Sequence, residues 1–193
     1  MDSSDVRIQI PDWLKHFPDD ERSIFESVDM RMQLAISLSR LNIKYGTGGP
    51  FGAAVFDMDS HALISTGVNL VVANNCSMAH AEMVAISRAQ QQLGSFDLGA
   101  SGLPRLELIS SCEPCAMCFG ALAWSGIRHL VCGAFAEDAR AIGFDEGPRH
   151  PAWIEEMLRR NITVKTGICR DEARDVLSEY HRSNGVIYNA RQG

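Results

Sequence analysis

Helices alternating with strands after an opening hairpin predict an α/β protein. The expected architecture is three-layer, α/β/α, with a mixed five-stranded sheet and helices on both faces. Three observations carry this. Apolar, β-branched runs of strand length (FGAAVF, RLELISS, RHLVCGA) lie between segments of helical period. Glycine or proline punctuates most junctions between them. The 193 residues suffice for one sizeable core, so residues 1–193 read as a single domain with 184–193 as a tail.

Residues 19–44 read as a long helix. Asp19 and Asp20 are cap candidates, and Ile24, Val28, Leu34, Leu38 and Leu41 recur near helical spacing. Gly46, Gly48, Gly49 and Pro50 stop it. Residues 51–71 then read as two strands joined around Asp57–His61. AHAEMVAISRAQQQL (79–93) is a helix ending at Gly94, and RLELISS (105–111) is a strand. Pro114 through Trp124 reads as a helix with proline in its first turn, where a missing N–H costs least. RHLVCGA (128–134) reads as a buried strand. PAWIEEMLRRN (151–161) is a helix, ITVKTGI (162–168) a strand and RDEARDVLSEYHRS (170–183) a final helix.

Net charge is −6. Such a balance argues against a large nucleic-acid surface, which normally shows a basic patch. No apolar run approaches the ~18–20 residues of a membrane helix. The polar, acidic N-terminus shows no signal-peptide pattern, so a cytoplasmic protein is expected. Six cysteines in such a chain point to thiols rather than disulfides, and Cys-x-x-Cys to a metal or catalytic site.

That pair is Cys115 and Cys118, in Pro114-Cys-Ala-Met-Cys. Three residues apart, the two sulfurs share one side of a helical turn. Zinc takes thiolate and imidazole ligands tetrahedrally, and three protein ligands leave a fourth position for water. His80, at the start of another helix, supplies the third ligand if the two helix starts meet. Helix N-termini also favour the thiolate. Glu82 lies two residues after His80, roughly 200° around a regular helix, so both reach one site only at an irregular helix start. A carboxylate there would take a proton from water that the metal acidifies.

His80-Ala81-Glu82 followed by Pro-Cys-x-x-Cys resembles the signature of the zinc nucleobase deaminases. The chain is similar to the cytidine-deaminase-like superfamily over at least residues 47–146, GGPFGAAVF included. Within it the chain resembles the bacterial guanine deaminases. Asn69 stands where that family has a base-binding asparagine. IGFDEGPR (142–149) is similar to a segment bearing a second catalytic acid, here Glu146. NGVIYNAR (184–191) is similar to a C-terminal flap that closes over the purine.

The resemblance implies one Zn²⁺ per chain and hydrolysis of guanine to xanthine and ammonia by attack of water at C2. Glu82 would shuttle protons, and Glu146 would hold the 2-amino group or carry a second proton. The backbone N–H of Ala81 would contact the base, and Phe51, Trp124, Phe144 and Tyr188 are stacking candidates. A nucleobase and water are then the partners, in a homodimer, with neither membrane nor nucleic acid. Related aminoheterocycles (ammeline or another aminotriazine, or cytosine) present a similar N–C(NH₂) unit and stay open. So does a tRNA adenosine deaminase, which shares both motifs. A plainer alternative is a structural zinc module closed by Cys112. Likewise Asp145-Glu146-Gly147-Pro148 is also ordinary turn chemistry, Phe51 and Trp124 also suit a core, and Tyr188 also suits a tail packing on the body.

Overall fold

The computed structural model describes residues 6–17 and 24–189. Its elements are, in order, α1 (Asp12–Lys15), α2 (Val28–Lys44), β1 (Gly52–Asp57), β2 (Leu63–Val68), α3 (Val71–Asn74), α4 (Ala81–Leu93), β3 (Leu106–Cys112), α5 (Ala116–Ser125), β4 (His129–Ala134), α6 (Ala136–Ala141), α7 (Trp153–Arg159), β5 (Thr163–Lys165) and α8 (Arg170–Arg182). The five strands form one sheet in the order β2-β1-β3-β4-β5.

Side chains of each strand alternate between two cores, as a pleated sheet requires. Ala54, Phe56, Ile109 and Val131 face α2 and α8, where Met32, Leu38, Val176 and Leu177 meet them. Ala53, Val55, Leu108 and Leu130 face the other layer, with Ala85, Ile86, Leu122, Trp153 and Met157. Two glycines let helices lie on the sheet at close range. A Cβ on Gly52 would fall 2.3 Å from the Ala35 carbonyl oxygen of α2. A Cβ on Gly67 would fall 2.3 Å from the Ala81 carbonyl oxygen of α4.

Strand direction sets the location of the chemistry. β1 is antiparallel to both β2 and β3, so those two run the same way. β4 runs parallel to β3. The carboxyl ends of β2, β3 and β4 therefore share one end of the sheet, where open α/β sheets bind ligands.

Several boundaries differ from those expected. The helix predicted over 19–44 starts at Val28, because the Ser27 side chain accepts the Met30 N–H and caps it there. Ile24 instead bridges Ala62 in an extended pairing; Asp19 and Asp20 lie outside the described residues. Pro114 precedes α5 rather than sitting inside it, and Cys115 is the N-cap. β5 is only three residues long. Its pairing breaks before Gly167, at φ +77°, and the Ile168 N–H then donates to the Cys132 carbonyl. The short helices α1, α3 and α6 carry too few turns for a detectable period. Among the described residues no helix is long and apolar enough to cross a membrane.

Candidate active site

Three ligand atoms converge at the shared strand ends. The Cys115 and Cys118 sulfurs lie 3.5 and 3.6 Å from His80 Nδ1. One donor atom from each of the three residues lies within 4.8 Å of the others. His80 is the N-cap of α4 and Cys115 the N-cap of α5, and neither side chain caps its helix by a hydrogen bond. The extended backbone of His80 (φ −70°, ψ 157°) resolves the angular problem of the His-x-Glu spacing. His80 and Glu82 line the same cavity because only Glu82 is on the helix proper.

The donor set fits zinc, with one imidazole nitrogen and two sulfurs. The thiols also need a cation. Cys115 is drawn down to about 4, chiefly by a hydrogen bond from Cys118 and further by His80, against its burial. Cys118 is pushed well up by Cys115 beside it and by burial. A bound dication is what lets two neighbouring buried thiols ionise together. Cys112 stands apart from the cluster, its buried thiol 3.6 Å from the Phe135 carbonyl oxygen. The closed four-ligand alternative thus lacks its fourth ligand, and three ligands leave one coordination position open. All six cysteines are free.

The cavity beside the three ligands has a volume of about 370 Å³. Four acidic side chains line it, Glu82, Glu113, Asp145 and Glu146, and of these Glu82 and Glu146 are 7% and 6% exposed. Burial raises Glu82 above the usual carboxylate range. Burial, then the negative charges of Cys115 and Glu82, raise Glu146 to about 8. Like charges in a dry pocket favour a retained proton, as for any pair of groups made to trade one.

Two polar atoms of the wall have no protein partner. These are Asn69 Nδ2 and the Tyr188 hydroxyl, both buried. Asn69 Oδ1 accepts the Val71 N–H, leaving its amide donors for whatever fills the cavity. Its backbone is fixed from behind by Asn42, whose Nδ2 donates to the Asn69 and Gly49 carbonyls at 2.8 Å each.

A family model for the cytidine and deoxycytidylate deaminase zinc-binding region matches residues 26–134. The chain belongs to this deaminase family. It is a zinc-dependent aminohydrolase by that membership, and His80, Cys115 and Cys118 are placed to hold the metal. The chain is 36% identical to a guanine deaminase of Bacillus subtilis over 115 residues, 60% of this chain and 69% of that one. It is 47% identical to a solved guanine deaminase from Nitrosomonas europaea, with a TM-score of 0.89 over 92% of this chain and 97% of that one. A structure in complex with 2,6-diaminopurine is 50% identical, with a TM-score of 0.89 over 96% and 97% of the two chains.

The other expected site residues are placed as follows. Phe51, Phe144 and Tyr188 line the deaminase cavity and contact one another, with ring centroids 5.0 Å (Phe51–Phe144) and 5.1 Å (Phe144–Tyr188) apart. Ala81 is buried behind it. Trp124 is a correction: it is 86% exposed and does not line the cavity. On α5 the buried residues are Cys118, Leu122 and Ser125, and Trp124, two residues past Leu122, faces the other way. Reasoning from the sequence missed Ser77, Glu113 and Asn189, which also line the cavity. Glu113 carried a signal in its place next to the Pro-Cys motif, and Asn189 in its place within the flap segment 184–191.

Proposed function

We propose that the chain hydrolyses guanine to xanthine and ammonia. The observation that carries this is one cavity, beside the His-Cys-Cys metal triad, into which the buried Glu82 and Glu146 and the unpartnered Asn69 amide face. The guanine deaminases among its relatives support the choice of base.

Zinc, when bound by His80, Cys115 and Cys118, supplies a water acidic enough to lose a proton near neutral pH. Glu82 takes that proton and delivers it to the ring nitrogen; it then carries the second proton, from the hydroxyl now on C2, to the departing amine, so the C–N bond breaks, ammonia leaves and water's oxygen becomes the carbonyl of xanthine. Glu146 holds the 2-amino group or passes a second proton. Asn69 donates its amide to an acceptor on the base, and the Ala81 N–H contacts the ring. Phe51 and Phe144, packed edge to face, form the apolar wall against which the base rests. Buried donors such as Asn69 discriminate between bases more sharply than apolar shape does.

Residues 184–189 act as a flap, with Tyr188 closing the cavity; Ala190 and Arg191 of that motif lie outside the described residues. Asn189 latches the flap, accepting the Asp145 N–H at 2.9 Å and donating to the Gly143 carbonyl at 2.8 Å. The free thiols support a cytoplasmic setting. A homodimer is supported by exposed Phe96 and Trp124, on a loop and on the last turn of α5, which the Leu98 N–H to Ser125 carbonyl bond holds side by side.

A kinetic panel of guanine, guanosine, cytosine, cytidine, adenine and ammeline tests the substrate. Guanine is expected to give the highest kcat/KM; an inert guanine would overturn the purine assignment. In the same panel Glu82→Gln should keep its zinc and lose turnover by roughly 10²- to 10⁴-fold.

A further inference from the structure

We propose that Arg149 is a positioning residue for this reaction, holding the loop that carries Glu146 in register with the turn that carries a metal ligand. The inference rests on the role given to Glu146 above.

The guanidinium makes three contacts at once. Arg149 Nη1 donates to the Pro114 carbonyl at 3.0 Å. Arg149 Nη2 donates to Glu113 Oε2 at 3.0 Å. The guanidinium carbon lies 4.5 Å from the Trp153 ring centroid. Both side chains of the ion pair are buried, 7% and 9% exposed, unlike most pairs of this protein. Solvent-exposed pairs contribute little, whereas a buried one costs heavily if broken and so enforces one geometry. Glu113 is engaged further, its Oε2 also accepting the Ala136 N–H at 3.2 Å.

The two loops touch along their length. The Ala116 N–H donates to the Glu146 carbonyl at 2.9 Å, one residue past the ligand Cys115. Gly147, at φ +68°, packs so close that a Cβ there would lie 3.1 Å from Ala116 Cβ. On its other flank the loop is held by Asn189 of the tail, together with the Phe144 N–H to the Ala139 carbonyl. Arg149 therefore secures the side that faces the metal. The other side depends on a segment that must yield for substrate to enter. A lysine cannot replace it, since one ammonium reproduces neither the fork between Pro114 and Glu113 nor the stacking on Trp153.

The test is a double-mutant cycle between Arg149→Lys and Glu146→Gln, read as kcat and KM for guanine with zinc content per chain. Arg149→Lys should keep about one zinc and lower kcat at least about tenfold, with little change in KM. In the Glu146→Gln background the same change should lower kcat by less than about twofold, because the group it positions is already disabled. Should Arg149→Lys fail to fold, the paired replacement Arg149→Met with Glu113→Gln removes both charges together and takes its place in the cycle. Unchanged kcat in the lysine variant, or fully additive losses, would overturn the positioning role while leaving Glu146 in the mechanism. An undiminished kcat in Glu146→Gln itself would remove Glu146, and the positioning role with it.

Discussion

Gly67→Ala tests how tightly the placement of the metal site depends on one helix–strand contact. The added Cβ would lie 2.3 Å from the Ala81 carbonyl oxygen and 2.4 Å from the Ala85 nitrogen. Both obstacles are backbone atoms in the first turns of α4, so no rotamer change relieves them. The helix must recede by roughly 1 Å to restore ordinary van der Waals distance. Overpacking of this kind costs about 1–3 kcal/mol. Ala81 lies between His80 and Glu82, so the same shift moves the ligand and the proton carrier. Displacements near 1 Å can cost about 10²-fold in turnover. The assay is denaturant midpoint, zinc content and kcat on the purified variant, with Gly120→Ala as control. Gly120 has nothing within 4 Å of its would-be Cβ and sits within α5. That control should gain about 0.5–1 kcal/mol from helix propensity and keep its turnover. A Gly67→Ala protein with the parent's midpoint and the parent's turnover would refute the reasoning.

Other outcomes follow from the same geometry. Cys112→Ser should keep about one zinc per chain by metal analysis, because that thiol is turned to the Phe135 carbonyl and not to the cluster. His80→Ala should lose metal and thermal stability together, both readable in one preparation. Asp138 is held below the ordinary carboxylate range, first by its hydrogen bonds from Arg170. A depressed folded pKa stabilises the protein at high pH, so this contribution is complete above about pH 4 and is lost as the pH falls further. Asp138→Asn should accordingly flatten the acid limb of a stability-against-pH curve, and an unchanged limb would count against the pairing.

The parts of the site legible in the sequence are those whose partners lie close along the chain. Cys115 and Cys118 share a helical turn, and His80 and Glu82 share a helix start, so motif and geometry coincide. The order of helices and strands likewise announced a sheet with helices on both faces. The pairing of Arg149 with Glu113 was not legible, since 36 residues separate the two, although each lies in or beside a motif. Trp124 misled because an aromatic near a metal motif suggests a base contact, whereas its helical phase relative to Leu122 already placed it outside. The start of α2 was misplaced for a related reason. Apolar spacing continues upstream through Ile24, and only the hydroxyl of Ser27, bound to the Met30 N–H, ends the helix there.

His80 and Cys115 both occupy the position where a helix most benefits from serine, threonine, asparagine or aspartate. Each therefore leaves amides at a helix start without the usual side-chain acceptor. A serine or aspartate at either site would supply that acceptor, worth about 1 kcal/mol to the metal-free protein, and abolish a coordinating atom. Both helix starts are therefore weak until the metal is bound, so metal loading rather than local capping is what secures the beginnings of α4 and α5.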